Sequence, residues 1–222
     1  MKNMLGITDV RGPISDLLEK LGGPDGERWL KDFKKFLRKE FAIISDWQSF
    51  WHNITGQEYN FSSIRIPARP EGHWRLLVCI DISLETLYAE CQKRFTCWRW
   101  TDKNLDKIVI QNERTAKNGP YAIWVRNETE ADENLKNLSS NDIKKQNLTT
   151  ETLAERFIHE LKHFQETGKH LDIKNVTLCS GSRFGAGSVP SVDWSPHWGE
   201  MSVFWYRPDY RYGGLRSRQA VS

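Results

Sequence analysis

Within the stretch RFIHELKHFQETGKH, His159, Glu160 and His163 spell His-Glu-x-x-His. On a helix this spacing sets two imidazoles one turn apart for a single zinc ion, with the glutamate beside them to take a proton from a metal-bound water. Direction is the harder requirement. At about 100° per residue, Leu153, Phe157, Leu161 and Phe164 fall within an arc of roughly 80° that must face a core. His159 and His163 fall nearly opposite, so they are predicted to face solvent unless another element covers that side. Lys162 places an ammonium beside the would-be dication, and His170 and Gly168 each miss the positions of the extended His-Glu-x-x-His-x-x-Gly-x-x-His pattern. The expectation is therefore no metal, no cofactor and no catalytic residue. The alternative is a zinc-dependent hydrolase with His159 and His163 as ligands and Glu160 as general base.

Two other stretches carry residues suited to a site. CSGSRFGAG offers Cys179, Ser180, Ser182 and Arg183, but no lysine follows its glycines as in a P-loop, and no serine is flanked as in a nucleophile elbow. A glycine-rich connection is the expected reading. Basic and aromatic residues interleave in KRFTCWRW (Arg94, Trp98, Arg99, Trp100) and in FWYRPDYRYGGLRSR (Tyr206, Arg207, Arg211). Exposed aromatic rings stack the bases of a single strand, while neighbouring cations follow its backbone. In a strand Trp98 and Trp100 would share one face and Arg99 the other; Met201, Val203 and Trp205 would oppose Phe204 and Tyr206. With Arg183, these residues are the expected contacts for a protein or a single-stranded nucleic acid.

The elements that must position them begin with DGERWLKDFKKFLRKEF, whose Trp29, Leu30, Phe33, Phe36 and Leu37 recur at helical spacing opposite Lys31, Lys34, Lys35, Arg38 and Lys39, with Asp25 as cap. A shorter helix over Ser15 to Leu21 completes a helical hairpin, and this amphipathic segment is expected to dock on its own domain or on a partner. The expected organisation is residues 1–42 helical, 43–70 a linker without clear period, and 71–222 a mixed α/β domain. HWRLLVCIDI, a helix capped by Ser83, TCWRW, a helix near Leu105 and YAIWVR alternate strand and helix, which implies helices covering a sheet. Thr150 is expected to cap a helix over Glu151 to Thr167 that Gly168 ends. VTLCSGS, VPSVDW, EMSVFWY and LRSRQAVS read as antiparallel hairpins. The fold class is thus α/β of the mixed α+β kind.

Composition narrows the function classes. In 222 residues the net charge is only +3, too weak a global field to name nucleic acid or membrane as partner. The ten Trp, ten Phe and six Tyr compensate for a hydrophobic fraction of 38%, since each ring buries on the order of 150–250 Å². Cys79, Cys91, Cys97 and Cys179 form no CxxC pair and suggest reduced thiols in a cytoplasmic protein. MKNMLGITDV has no apolar core of a signal peptide, and no run is long enough to span a bilayer. The Asn-x-Ser/Thr triplets at Asn53, Asn60, Asn127, Asn137, Asn147 and Asn175 then read as turn and cap chemistry.

From IPARPEG through CWRWTD, YAIWVRNETEADENLKNLS, ELKHFQETGKHLDIKNVTLCSGSR and VPSVDW, the chain resembles an uncharacterised family of small proteins from candidate-phylum bacteria, over about residues 64–222. In that family's pattern the frame around Glu160, Leu161 and Lys162 recurs, whereas histidines at 159 and 163 do not. The resemblance implies a bacterial protein and transfers no catalytic residue. The segment LLEKLGGPDGERWLKDFKKFLRKE is similar to one that begins other small proteins of such bacteria, which implies an exchangeable N-terminal piece. A non-enzymatic recognition domain is the resulting expectation.

Overall fold

A computed structural model describes residues 7–37 and 40–222. It divides into two compact units, one reaching to Ser62 and one over Ser63–Ser222. In the first, α1 (Ile7–Gly22) and α2 (Gly26–Leu37) form the expected hairpin, and α3 (Glu40–Thr55) follows. The turn between α1 and α2 is tight: Gly26 N–H donates to the Gly23 carbonyl at 3.0 Å, and a Cβ on Gly26 would run into the Leu21 carbonyl oxygen. Only glycine fits there. Arg38 and Lys39, expected on the basic face, lie outside the described residues.

The stretch expected to be linker from residue 43 contains most of α3. Trp47, Phe50, Trp51 and Ile54 recur at helical spacing and are all buried, so the period is short but real. Their rings nest: Phe50 stands edge-on to Trp47 and to Trp51 at 5.0 Å each, and Trp51 meets Tyr59 at 6.5 Å. Gln48 ties the following loop back by donating from Nε2 to the Tyr59 carbonyl at 2.8 Å.

In the second unit β1 (Trp74–Cys79) pairs antiparallel with β4 (Tyr121–Arg126), and β4 also pairs with the C-terminal β10 (Ala220–Val221). A five-stranded sheet runs β2 (Cys97–Arg99), β8 (Glu200–Tyr206), β7 (Val189–Ser195), β5 (Val176–Leu178) and β9 (Leu215–Arg216). Its centre is antiparallel, as expected, but both edge strands run parallel to their neighbours. A ribbon of β3 (Val109–Asn112) and β6 (Ser182–Phe184) completes the β-structure. The alternating strands of the middle region are thus shared between sheets: β1 and β4 in one, β2 in another. Helices α4 (Leu84–Gln92), α5 (Leu105–Ile108) and α6 (Ser140–Lys145) lie on connections between strands, and Ser83 Oγ caps α4 by accepting from Thr86 N–H at 3.0 Å.

Helix α7 (Leu153–Thr167) is central, packed against α4, β1 and β7. Its cap is Thr152 rather than Thr150. Thr152 Oγ1 accepts from Glu155 N–H at 3.2 Å, and Glu155 accepts from Thr152 N–H at 2.7 Å. This reciprocal pair satisfies two free N–H groups of the first turn at once. Gly168 ends the helix in the left-handed region at φ 66°. Replacing Thr152→Ala is expected to cost about 1 kcal/mol of stability, read as a lowered urea midpoint.

Candidate functional site

With a sheet strand on one side and a helix on another, α7 has no wet face over its first two and a half turns. The expectation that His159 and His163 point to solvent is overturned: His159 is fully buried and His163 is partly so. The apolar arc was read correctly, since Leu153, Phe157 and Leu161 are buried. What the periodicity could not show is that the opposite face is also covered, by a polar layer.

That layer centres on Asp172, which is itself buried. Asp172 Oδ2 accepts from Arg156 Nε at 2.9 Å and from Thr177 Oγ1 at 2.6 Å, while Oδ1 accepts from Arg218 Nη2 at 2.6 Å. Burial alone would raise this carboxyl, yet Arg218 and Arg156 outweigh it and hold Asp172 below the usual carboxylate range. Arg156 donates on to Glu160 Oε2 at 2.8 Å, and Glu160 Oε1 lies 2.9 Å from His170 Nδ1. His170 is clamped in turn, stacked on Trp194 at 3.3 Å between ring centroids and edge-on to Phe95. Arg218 also donates to the carbonyls of Glu128 and Thr129 at 3.0 and 2.8 Å.

Beside it, Glu155 forms a second knot. Arg114 grips its carboxylate with Nε and Nη2, each at 2.7 Å, and Tyr121 OH donates to it at the same distance. Glu151 lies 2.8 Å from His159 Nδ1. Burial pushes the Glu151 carboxyl up to about 8 against the pull of Arg218 and Arg156. Burial, with Arg218, Arg156 and Arg75, holds His159 well below the ordinary imidazole range. Both shifts run the same way, toward an uncharged carboxyl beside an uncharged ring.

This geometry gives structural partners to Glu160 and to His159 Nδ1, while Nε2 of His159 and Nε2 of His163 are buried without a hydrogen-bond partner among the described residues. Both oxygens of Glu160 are engaged, so it is not aimed at a water between the two histidines. His159 and His163 sit in the field of Arg75, Arg156 and Arg218, which repels a dication. Among the described residues no group of three or more His, Cys, Asp and Glu is placed to hold a metal ion.

The residues expected to bind a partner divide. Trp98 and the side chains of Arg207 and Arg211 are exposed, and Trp98 lies on the outer face of the five-stranded sheet with Phe204 and Tyr206. The parallel register sets Trp98 opposite Ser202, and alternation along β8 brings Phe204 and Tyr206 to the same side. Ring centroids step 6.4 Å from Trp98 to Phe204, 5.9 Å to Tyr206 and 5.1 Å to Tyr210, with Tyr212 6.1 Å from Tyr206. The inner end is anchored: Tyr206 and Tyr212 pack on buried Leu178, Val189 and Leu215. Among the described residues Arg207 and Arg211 make long ion pairs, 3.5 Å to Asp209 and 3.7 Å to Asp142.

The other four expected residues are engaged elsewhere. Trp100 lies past the end of β2 and, instead of sharing the face of Trp98, packs on Phe184 at 4.5 Å. Arg94 is bound to Glu90, Arg99 to Glu85 while lying over the Tyr88 ring, and Arg183 to the Ser182 carbonyl and Ser140 Oγ. Tyr210 and Tyr212 join the ladder unannounced, since the loop that returns them over the sheet has no period. Among the described residues no helix is long and apolar enough to cross a membrane. Comparison with protein-family models, curated proteins and solved structures finds no match for this chain.

Two outcomes follow from the buried layer. Asp172→Ala leaves the buried Arg218 without its carboxylate and Arg156 with Glu160 alone, and is expected to cost about 3–5 kcal/mol, measured by urea unfolding. The second concerns pH. Glu151 is raised above its ordinary 4.5 to about 8, so the folded chain keeps a proton that the unfolded chain releases. Its contribution is fully present below the unfolded value and is lost as pH rises through the folded value. Glu151→Gln should therefore show a smaller fall in Tm than the parent between about pH 5 and pH 9; equal falls by calorimetry would contradict the assignment.

Proposed function

We propose that this protein is a non-enzymatic recognition domain whose ligand is a single-stranded nucleic acid laid along the aromatic ladder from Trp98 to Tyr210. The observation that carries the reading is the run of Trp98, Phe204, Tyr206 and Tyr210, with adjoining rings 5.1–6.4 Å apart on one sheet face. Trp98, Phe204 and Tyr210 are exposed at 41–44%. Water-exposed rings held in place by a sheet are prepaid for stacking, because little side-chain freedom is lost when a base docks. Arg207 and Arg211 stand at the ladder's end with weak partners, which suits contact with phosphates. Four free cysteines, three of them buried, support a reducing, cytoplasmic setting, and the family resemblance supports a bacterial one.

Fluorescence anisotropy with labelled oligonucleotides of DNA and RNA tests the proposal. Trp98→Ala and Phe204→Ala are each expected to weaken binding about 5- to 150-fold, the loss of roughly 1–3 kcal/mol of stacking. Arg207→Ala with Arg211→Ala should flatten the dependence on salt between about 50 and 200 mM. Binding that ignores both sets of substitutions, or no binding at the lower salt, would refute it.

A further inference from the structure

Helices α1 and α2 each carry an apolar stripe wider than one helical neighbour can cover. On α1, Val10, Ile14, Leu17, Leu18 and Leu21 fall within roughly 100° of arc; on α2, Trp29, Leu30, Phe33, Phe36 and Leu37 fall within roughly 120°. The two stripes repeat at seven residues, Val10 to Leu17 and Ile14 to Leu21 on one helix, Trp29 to Phe36 and Leu30 to Leu37 on the other. Two apolar positions per heptad suffice for a two-helix seam, whereas the wider stripe is the pattern of a four-helix bundle.

The structure accounts for the seam and leaves the remainder in water. Leu17, Leu21 and Phe33 are partly covered, and Lys20 Nζ lies 4.6 Å over the Trp29 ring. Ile14, Leu18, Phe36 and Leu37 remain 52–65% exposed, and no residue of α2 is buried. Large apolar side chains left exposed on both helices of the hairpin are the kind of surface that marks an interface.

Charge selects the occupant. Helix α1 carries Asp9, Asp16 and Glu19 against Arg11 and Lys20, a net −1; α2 carries Arg28, Lys31, Lys34 and Lys35 against Glu27 and Asp32, a net +2. An anionic bilayer would attract one helix and repel the other. A second hairpin related by a two-fold axis lays α1 of one copy beside α2 of the other and matches both signs, since an isologous contact pairs each surface with its counterpart. We infer that the N-terminal helical hairpin is a homodimerisation element, closing with a second copy of this chain into a four-helix bundle. The inference is independent of the ladder on the five-stranded sheet.

Sedimentation equilibrium of the full chain over about 1 to 100 µM decides it. The expected result is a concentration-dependent mass approaching twice 26.0 kDa. Phe36→Asp combined with Leu37→Asp, and separately Ile14→Glu combined with Leu18→Glu, should each raise the dimer Kd at least ~10-fold. Both pairs are exposed, so circular dichroism should remain that of the parent, excluding unfolding as the cause. A chain that stays monomeric at every concentration would overturn the inference, whether or not it pellets with phosphatidylglycerol vesicles. So would a dimer indifferent to both pairs.

Discussion

Two guanidiniums, Arg156 and Arg218, lie wholly out of water in this protein, and the single carboxylate between them, Asp172, is the constraint on which the second unit turns. Removing such ions from water costs several kcal/mol each, repaid only when geometry is close and the remaining hydrogen-bond capacity is used. Asp172 meets that condition with its backbone as well: its N–H donates to the Thr129 carbonyl at 2.8 Å and its carbonyl accepts from Trp194 N–H at 3.1 Å. Its left-handed φ of 56° is a conformation that Asp tolerates better than most residues. Through side chain and backbone together, this one residue joins α7, the loop after it, strands β5 and β7 and the C-terminal segment.

Arg218 explains how a chain end so short can matter. Only a few residues separate β9 from β10, yet those strands belong to different sheets. Between them, Ser217 Oγ donates to the Leu178 carbonyl and Arg218 reaches Asp172. The C-terminal strands therefore fasten the sheets to each other across the polar layer that covers one side of α7. A hydrophobic layer there would satisfy burial but would not discriminate among registers. The directional ion pairs favour a single arrangement of helix against strands.

The same packing fixes the aromatic face of the five-stranded sheet. The ladder of Trp98, Phe204, Tyr206 and Tyr210 stands on strands whose inner faces bury Met201, Val203 and Val192, and Tyr206 is held from beside by a small apolar cluster. The first unit follows another logic. Its third helix buries a nest of aromatic rings, while its first two carry large apolar side chains that stay exposed.

Much of the molecule is readable from amino-acid order because its determinants are local. The helical hairpin, the Ser83 cap, the apolar arc of α7, its stop at Gly168 and the alternation that exposes Phe204 follow from periods and caps spanning a few residues. The Thr152 and Glu155 capping box was equally local, and α3 carried its period in four positions. What order alone could not decide is which groups from distant segments meet. Whether His159 faces water depends on what lies across from it, and Asp172, Arg218 and Glu151 come together only when the sheets close around the helix. The motif His-Glu-x-x-His fixes a spacing along one helix, but a metal site needs convergence of several elements. Here the tertiary structure ties Glu160 and His159 to partners from other segments, and burial with the fields of Arg218, Arg156 and Arg75 holds the His159 ring below the ordinary imidazole range.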